Sequence, residues 1–425
     1  MRMKRSMALV CVTCAERYAP EVVRYRCDCG DVLDVVHEKS GLDAAQLRAR
    51  FDDRLGSWSP VDRSGVWRYR ELILPLDENH LAAKPEGDTT LYDVPRIASY
   101  AGMDRVYVKH EGENPTGSFK DRGMTTGVSV ARWLGLGAVA CASTGNTSAS
   151  MASYAAQFGL DAYVFIPEGN IAYGKLSQAL AYGAKTLQIR GSFDDAMRLV
   201  EQVCAERGIY LLNSVNPFRL EGQKAIGFEL LHQLGWSSPD WIVLPGGNLG
   251  NNSAIYKGLC ELYALGMITR IPRIAVVQAH GANPLYRAYR DGGDVTPIAH
   301  AETIATAIRI GAPVSWRKSL RAIAGSNGVV TEVTDEEILE AKAHVDRSGV
   351  GAEPASCASI AGLRRLVREG TIKPSERVVC ILTGHLLKDP EVVVNFHMDP
   401  SQSLANRPVT VDAHIGDVRR ALDAM

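Results

Sequence analysis

The sequence predicts an α/β protein built from two doubly wound domains, and three observations carry that expectation. Short β-branched runs alternate with longer amphipathic stretches from Arg105 onward, the pattern of parallel sheets covered by helices. The runs are too many for one compact sheet, and a chain of 425 residues is long enough for more than one core. The most polar, glycine-rich segments follow the strands, where open α/β sheets bind their ligands. Composition agrees: 46% hydrophobic and 22% charged residues, with Lys+Arg 47 against Asp+Glu 48. That balance lacks the excess positive charge needed to wrap nucleic acid or coat an anionic membrane, so neither is an expected partner.

In chain order, Arg2, Lys4 and Arg5 precede an apolar stretch from Met7 to Ala15 that mimics a signal peptide. No small-residue cleavage site follows, and the stretch holds two paired cysteines, so the expected location is cytoplasmic. No apolar run has the length of a membrane span. Residues 1–36 contain Cys11-x2-Cys14, a spacer of twelve, and Cys27-x-Cys29-Gly30, a zinc-ribbon-like segment whose four thiolates could surround Zn²⁺. The second pair lacks the usual two-residue spacer, and a ribbon that packs without metal is the alternative. Cys141, Cys204, Cys260, Cys357 and Cys380 read as buried apolar residues. Residues from Lys39 to about Pro85 read as helical connection anchored by Trp58, Trp67 and Tyr69.

Strands are expected at Val106–Lys109, Ala138–Ala142, Ala162–Ile166, Lys185–Ile189, Tyr210–Asn213, Trp241–Leu244, Arg273–Gln278, Val329–Val333 and Arg377–Leu382. Helices fill most of the gaps; the one over Thr334–Ser348 opens with the capping sequence Thr334-Asp335-Glu336-Glu337.

Five strand-following segments carry chemistry. Gly112 to Gly123 has two glycines at phosphate-loop spacing, but Ser118 stands where a nucleotide-binding loop needs lysine. Lys120 instead opens a helix, where the dipole favours a neutral amine and hence a Schiff-base nucleophile; charge pattern alone reads Lys120-Asp121-Arg122 as a surface cluster. The hydroxyls of Ser143-Thr144-Gly145-Asn146-Thr147-Ser148 suit a carboxylate at a helix N-terminus, and an ordinary N-cap explains one or two of them. Gly246-Gly247-Asn248-Leu249-Gly250-Asn251 can fold its amides around a phosphate, or make a structural turn. Asn213, Ser214, Arg219 and Lys224 form a polar cluster able to hold a second phosphate, and Thr383-Gly384-His385 ends the last strand with a hydroxyl.

Ser118 to Gly123, Ser143 to Ser148, Gly246 to Asn251 and Thr383-Gly384-His385 through Asp389-Pro390, in this order, resemble the motif set of the threonine synthase family of fold-type II pyridoxal-phosphate (PLP) enzymes. Asn213-Ser214 with Arg219-Leu220-Glu221-Gly222 separates that family from dehydratases and sulfhydrylases, and the cysteine ribbon resembles one branch of it. The family usually has glycine where this chain has Leu386. The resemblance implies a tryptophan synthase β-like fold, with a large PLP-binding domain from 37–118 and 226–425 and a smaller mobile domain from 119–225. Lys120 would be the Schiff-base lysine and Asn146 would face the cofactor's 3′ oxygen. Gly246, Gly247, Asn248, Leu249, Gly250 and Asn251 would cradle its phosphate, and Thr383 would meet the pyridine nitrogen. Ser143, Thr144 and Thr147 would hold the substrate carboxylate; Asn213, Ser214, Arg219, Asn248 and Lys175 would hold its phosphate. The loop Ala172-Tyr173-Gly174-Lys175 would close over the substrate.

The implied reaction converts O-phospho-L-homoserine and water to L-threonine and phosphate, in a homodimer as often in the family. A neutral hydroxyl at the pyridine nitrogen is a weak electron sink and suits elimination and replacement. Cysteate synthase, which takes O-phosphoserine and sulfite, and a threonine dehydratase-like lyase are the competing activities. A binding module on an inactive scaffold is disfavoured, since the ribbon lacks a basic, aromatic-rich face.

Overall fold

The structure, a computed structural model, describes residues 6–38, 41–168, 173–191 and 193–425. The ribbon is a small antiparallel sheet of β1 (Met7–Cys11), β2 (Arg17–Tyr18) and β3 (Leu33–His37), ordered β2-β1-β3. Two larger sheets follow. Strands β4 (Leu91–Asp93), β5 (Val106–His110), β10 (Trp241–Pro245), β11 (Arg273–Ala279), β12 (Val329–Val333) and β13 (Val378–Leu382) form one, in the order β12-β11-β10-β13-β5-β4. Only β4 runs antiparallel to its neighbour there. The other is the all-parallel β8-β7-β6-β9, from β6 (Ala138–Ala142), β7 (Asp161–Pro167), β8 (Lys185–Ile189) and β9 (Tyr210–Leu211).

Alternation along the strands sends successive side chains to opposite faces, and both sheets are covered on both. In β10, Trp241 and Val243 pack with helices Pro95–Ala101, Asp335–Arg347 and Pro354–Arg368. Ile242 and Leu244 turn the other way, toward helices Ala225–Gln233 and Gly250–Ala264. In β6, Val139 and Cys141 join that same core through helices Lys120–Trp133 and Asn146–Phe158, while Ala140 and Ala142 meet helix Phe193–Arg207. One apolar core is thus shared by the inner faces of the two sheets.

Every expected strand is present, three with the expected bounds and the others with ends moved by one or two residues. The expected strand at Tyr210–Asn213 stops at Leu211 because the Asn213 side chain takes over the pairing with β6. The Thr334 capping box forms, with Thr334 and Glu337 bonding each other's main chain. Strand β4 is short and half-polar and gave no period-two signal. Trp67 and Tyr69 are fully buried anchors, but Trp58 is 87% exposed beneath Arg63 and anchors nothing. Of the scattered cysteines, Cys260 is only half-buried; the other four are core. Residues 169–172 lie outside the described residues. Tyr173, Gly174 and Lys175 form the first turn of helix Tyr173–Ala181 rather than a loop, and their side chains also lie outside the described residues.

Candidate active site

Because β13 lies between β10 and β5, the segments leaving the carboxyl ends of all three are neighbours. The adjacent strands β6 and β9 of the other sheet bring the segments after Ala142 and Leu211 together in the same way.

Main-chain pairing sets the position of Lys120. Ser118 bridges Gly384, the Phe119 amide donates to Thr383 O at 3.0 Å, and the His385 amide donates to Gly117 O at 2.9 Å. Lys120 is then the first residue of its helix, half-buried, with its ammonium 4.1 Å from the centre of the Phe119 ring. Burial, then the charge of Arg219, lower its pKa to about 7, against the pull of Glu353. The shift runs toward the neutral amine, with desolvation as its main cause. The surface-cluster alternative fails: Asp121 and Arg122 are both fully buried. Asp121 accepts from the Thr116 amide at 2.7 Å, the Thr116 hydroxyl at 2.6 Å and the Ser150 hydroxyl. Arg122 lies between Glu111 at 2.6 Å and Glu229 at 2.8 Å, and Glu229 also binds Lys109. The lysine-bearing helix crosses helix Pro217–Gln223 so closely that a Cβ at Gly222 would sit 1.7 Å from Arg122 O.

That crossing buries Arg219. Its Nη1 donates to Leu212 O at 2.9 Å, its Nε has no partner, and it forms no ion pair among the described residues. Burial lowers its pKa to about 10, well within the charged range at neutral pH. Asn213 exchanges two hydrogen bonds with the Ala142 main chain, at 2.9 and 3.1 Å, and so pegs β9 to β6 beside Ser143. Ser143, Thr144, Asn146, Thr147 and Ser214 are half-buried around these strand ends, with Ser143 Oγ accepting from the Gly145 amide at 3.2 Å. Lys224, part of the polar cluster in sequence, points elsewhere, to Glu221 and Glu261.

The Gly246–Asn251 segment leaves β10 and enters helix Gly250–Ala264 through Leu249, whose φ is +63°. A Cβ at Gly246 would lie 2.5 Å from Val276, so the main chain must run bare there. Asn248 is held by the Ser315 amide at 3.1 Å, on its carbonyl. Both amide atoms of buried Asn251 lack a hydrogen-bond partner, as does the Ser118 hydroxyl. Buried polar atoms of this kind are rare, and those of Asn251 lie in the first turn of helix Gly250–Ala264, a helix N-terminus suited to a phosphate. The residues therefore fit a phosphorylated cofactor carrying an aldehyde for Lys120. Thr383 is buried, 3.0 Å from the Ser356 hydroxyl. Leu386, where the family usually has glycine, fits because Gly351 has no side chain: a Cβ there would lie 2.4 Å from Leu386 Cδ2.

Two residues of the site escaped the sequence reading. Glu353 is buried, with its carboxylate 3.0 Å from Asn146 Nδ2 and 3.4 Å from Thr383 Oγ1. Lys388, quoted within the last segment but given no role, reaches across to Gln178 of helix Tyr173–Ala181.

In the ribbon, Cys11, Cys14, Cys27 and Cys29 converge with all four sulfurs within 4.8 Å of one another, a spacing suited to one metal ion. None of the four is in a disulfide. The ribbon is bonded to both larger sheets' surroundings. The Tyr25 hydroxyl accepts from the Leu211 amide of β9 at 2.7 Å, and Lys318 donates to Leu33 O at 2.8 Å. His37 meets Glu221, two residues beyond Arg219, at 2.6 Å.

Among the described residues no helix is long and apolar enough to cross a membrane. A family-wide profile described as "Pyridoxal-phosphate dependent enzyme" matches residues 82–384. The threonine synthase of Methanosarcina acetivorans is 48% identical over 417 residues, covering 97% of this chain and 98% of that protein. Threonine synthase 2, chloroplastic, of Arabidopsis thaliana is 39% identical over 423 residues, 96% of this chain and 82% of that protein. Among solved structures, a fungal L-serine ammonia-lyase from Rhizomucor miehei aligns with a TM-score of 0.62 at 20% identity, over 72% of this chain and 98% of that one. Threonine deaminase isoform 2 from Solanum lycopersicum aligns at 0.59 and 19% identity, over 84% and 94%. The shared fold and the extent of these matches together make the chain a member of the pyridoxal-phosphate-dependent enzyme family, within its threonine synthase branch.

Proposed function

We propose that the chain converts O-phospho-L-homoserine and water to L-threonine and phosphate, with PLP held on Lys120 and the Gly246–Asn251 turn. The observation that carries this reading is Arg219: a buried cation without a carboxylate partner among the described residues, close enough to Lys120 to lower its pKa. A leaving phosphate needs such fixed positive charge, and a threonine-dehydrating enzyme has no use for it.

Bound PLP supplies the electron sink that acidifies the substrate's α and β hydrogens. Lys120, as a neutral amine, moves protons at Cα and Cβ. Ser143, Thr144 and Thr147 bind the substrate carboxylate. Arg219, Ser214 and Asn248 bind the phosphate and stabilise charge as the Cγ–O bond breaks, with Lys175 a further contact; Asn213, whose amide is committed to the Ala142 main chain, holds the strand ends beside them instead. Thr383 faces the pyridine nitrogen as a neutral hydroxyl. Residues 119–225 act as the smaller, mobile domain, whose closure keeps water out until phosphate has left. The four ribbon cysteines hold one Zn²⁺, and the enzyme works as a cytoplasmic homodimer.

The test is phosphate release by the purified holoenzyme. O-phospho-L-homoserine should yield threonine and phosphate in equal amounts, and Lys120→Ala should abolish both. O-phosphoserine with sulfite should yield little, although one methylene is worth only about 1–3 kcal/mol. A PLP-loaded protein that releases no phosphate from O-phospho-L-homoserine would sink the reading.

A further inference from the structure

Glu353 has no part in the reaction as set out above, yet the fold builds a place for it among the residues that would surround the cofactor ring. Its main-chain amide donates to Gly384 O at 3.0 Å, just ahead of Pro354 and helix Pro354–Arg368. A Cβ at Gly384 would lie 2.5 Å from the Glu353 carboxyl carbon, so position 384 is bare where that carboxyl rests. The two carboxyl oxygens lie 3.3 and 3.0 Å from Asn146 Nδ2, and one of them lies 3.4 Å from Thr383 Oγ1. Thr383 is fixed from its other side by Ser356 at 3.0 Å.

The chemistry of the pyridoxal ring gives this arrangement meaning. The 3′ oxygen and the ring nitrogen bound one edge of the ring, and Asn146 and Thr383 are the residues read as meeting those two atoms. Glu353 is bonded to both. A primary amide can present either N–H or C=O, and an anionic 3′ oxygen requires N–H. By accepting from Nδ2, Glu353 selects the amide orientation that turns nitrogen inward, and Nδ2 keeps a second hydrogen.

We propose that Glu353 is a positioning residue for the bound cofactor: it orients the Asn146 amide so that the remaining N–H faces the 3′ oxygen, and it holds Thr383 at the other end of the same ring edge. The proposal rests on the PLP reading of Lys120, Asn146 and Thr383. Burial raises the Glu353 pKa, opposed by the Asn146 hydrogen bond and by Lys388 and Lys120, and reinforced by Asp389. The neutral acid is the form that would not repel an anionic ring oxygen.

Three variants test this in the holoenzyme: Glu353→Gln, which keeps an acceptor; Glu353→Met, which keeps the volume and removes both acceptors; and Asn146→Ala. The readouts are PLP dissociation followed by the visible band of the bound cofactor, and the pH midpoint of that band. Glu353→Met should weaken PLP binding roughly tenfold, about the worth of one hydrogen bond, and shift the midpoint. Glu353→Gln should stay within about threefold of wild type. If Glu353 acts through Asn146, Glu353→Met should add nothing in the Asn146→Ala background. Glu353→Ala provides a second acceptor-free variant if the methionine variant does not fold. Equal losses in the Gln and Met variants, additive losses with Asn146→Ala, or a wild-type band in Glu353→Met would each overturn the proposal. A wild-type protein that takes up no PLP at all would instead overturn the cofactor reading beneath it.

Discussion

A lysine that leaves water for a half-buried position beside Arg219 gives up its proton more easily, and at Lys120 the balance falls at about 7. The unfolded chain, with an ordinary lysine, binds that proton up to about pH 10.5. Stability of the cofactor-free protein therefore falls as pH drops from about 10.5 to about 7, because the unfolded state holds more protons there. Lys120→Met should remove this penalty. We expect it to raise unfolding free energy by roughly 1–3 kcal/mol at pH 7, after allowing for solvent contact, with the gain vanishing near pH 10.5. Urea unfolding of the two cofactor-free proteins across that range checks it; a constant difference would contradict the argument. At this scale the sequence marks candidates where residues cluster in strand-following motifs, as at Lys120, Asn146 and Asn251. Glu353 is not marked, because a single glutamate ahead of a proline has no spacing signature, and its partners Asn146 and Thr383 are remote in sequence. The peg formed by Asn213 was hidden for the same reason: it is defined by the Ala142 main chain.

Elements with regular period were legible nearly to the residue. Strands β6, β8 and β12 match their expected bounds, each flanked by turn or cap residues: Gly137 and Ser143, Gly183 and Gly191, Gly328 and Thr334. Strand β4 was invisible because its three residues owe their pairing to β5 rather than to a pattern of their own. Helix Lys120–Trp133 owes its placement partly to charge beneath it. Arg122 pairs with Glu111 and Glu229, all three fully buried, and a second cation, Lys109, shares Glu229. These attractions keep the Glu229 pKa low despite burial. Arg122→Met would leave buried Glu111 without a cation and Glu229 with Lys109 alone, and we expect a loss of about 3–5 kcal/mol. A urea midpoint unchanged from wild type would show that the cluster contributes little.

For the whole molecule, the ribbon is joined to β9 through Tyr25 and to helix Trp316–Gly325 through Lys318; Asn213 lies two residues beyond that strand, and Ser315, whose amide holds Asn248, immediately precedes that helix. Its cysteine spacing was legible, but its docking was not, since it relies on main-chain acceptors such as Leu33 O that no sequence pattern marks. Metal analysis should find about one zinc per chain, and Cys11→Ser should lower it severalfold. Unchanged zinc in that variant would remove the four-thiolate site. The pairing of Gly117–Phe119 with Thr383–His385 has a consequence for how such enzymes diverge. Peptide groups, which every residue possesses, hold Lys120 in register with the last strand, so the side chains at Ser118 and Thr383 can be exchanged without displacing the lysine. A scaffold whose alignment is carried by the main chain leaves its side chains free to be exchanged, and new reactions can arise on it one residue at a time.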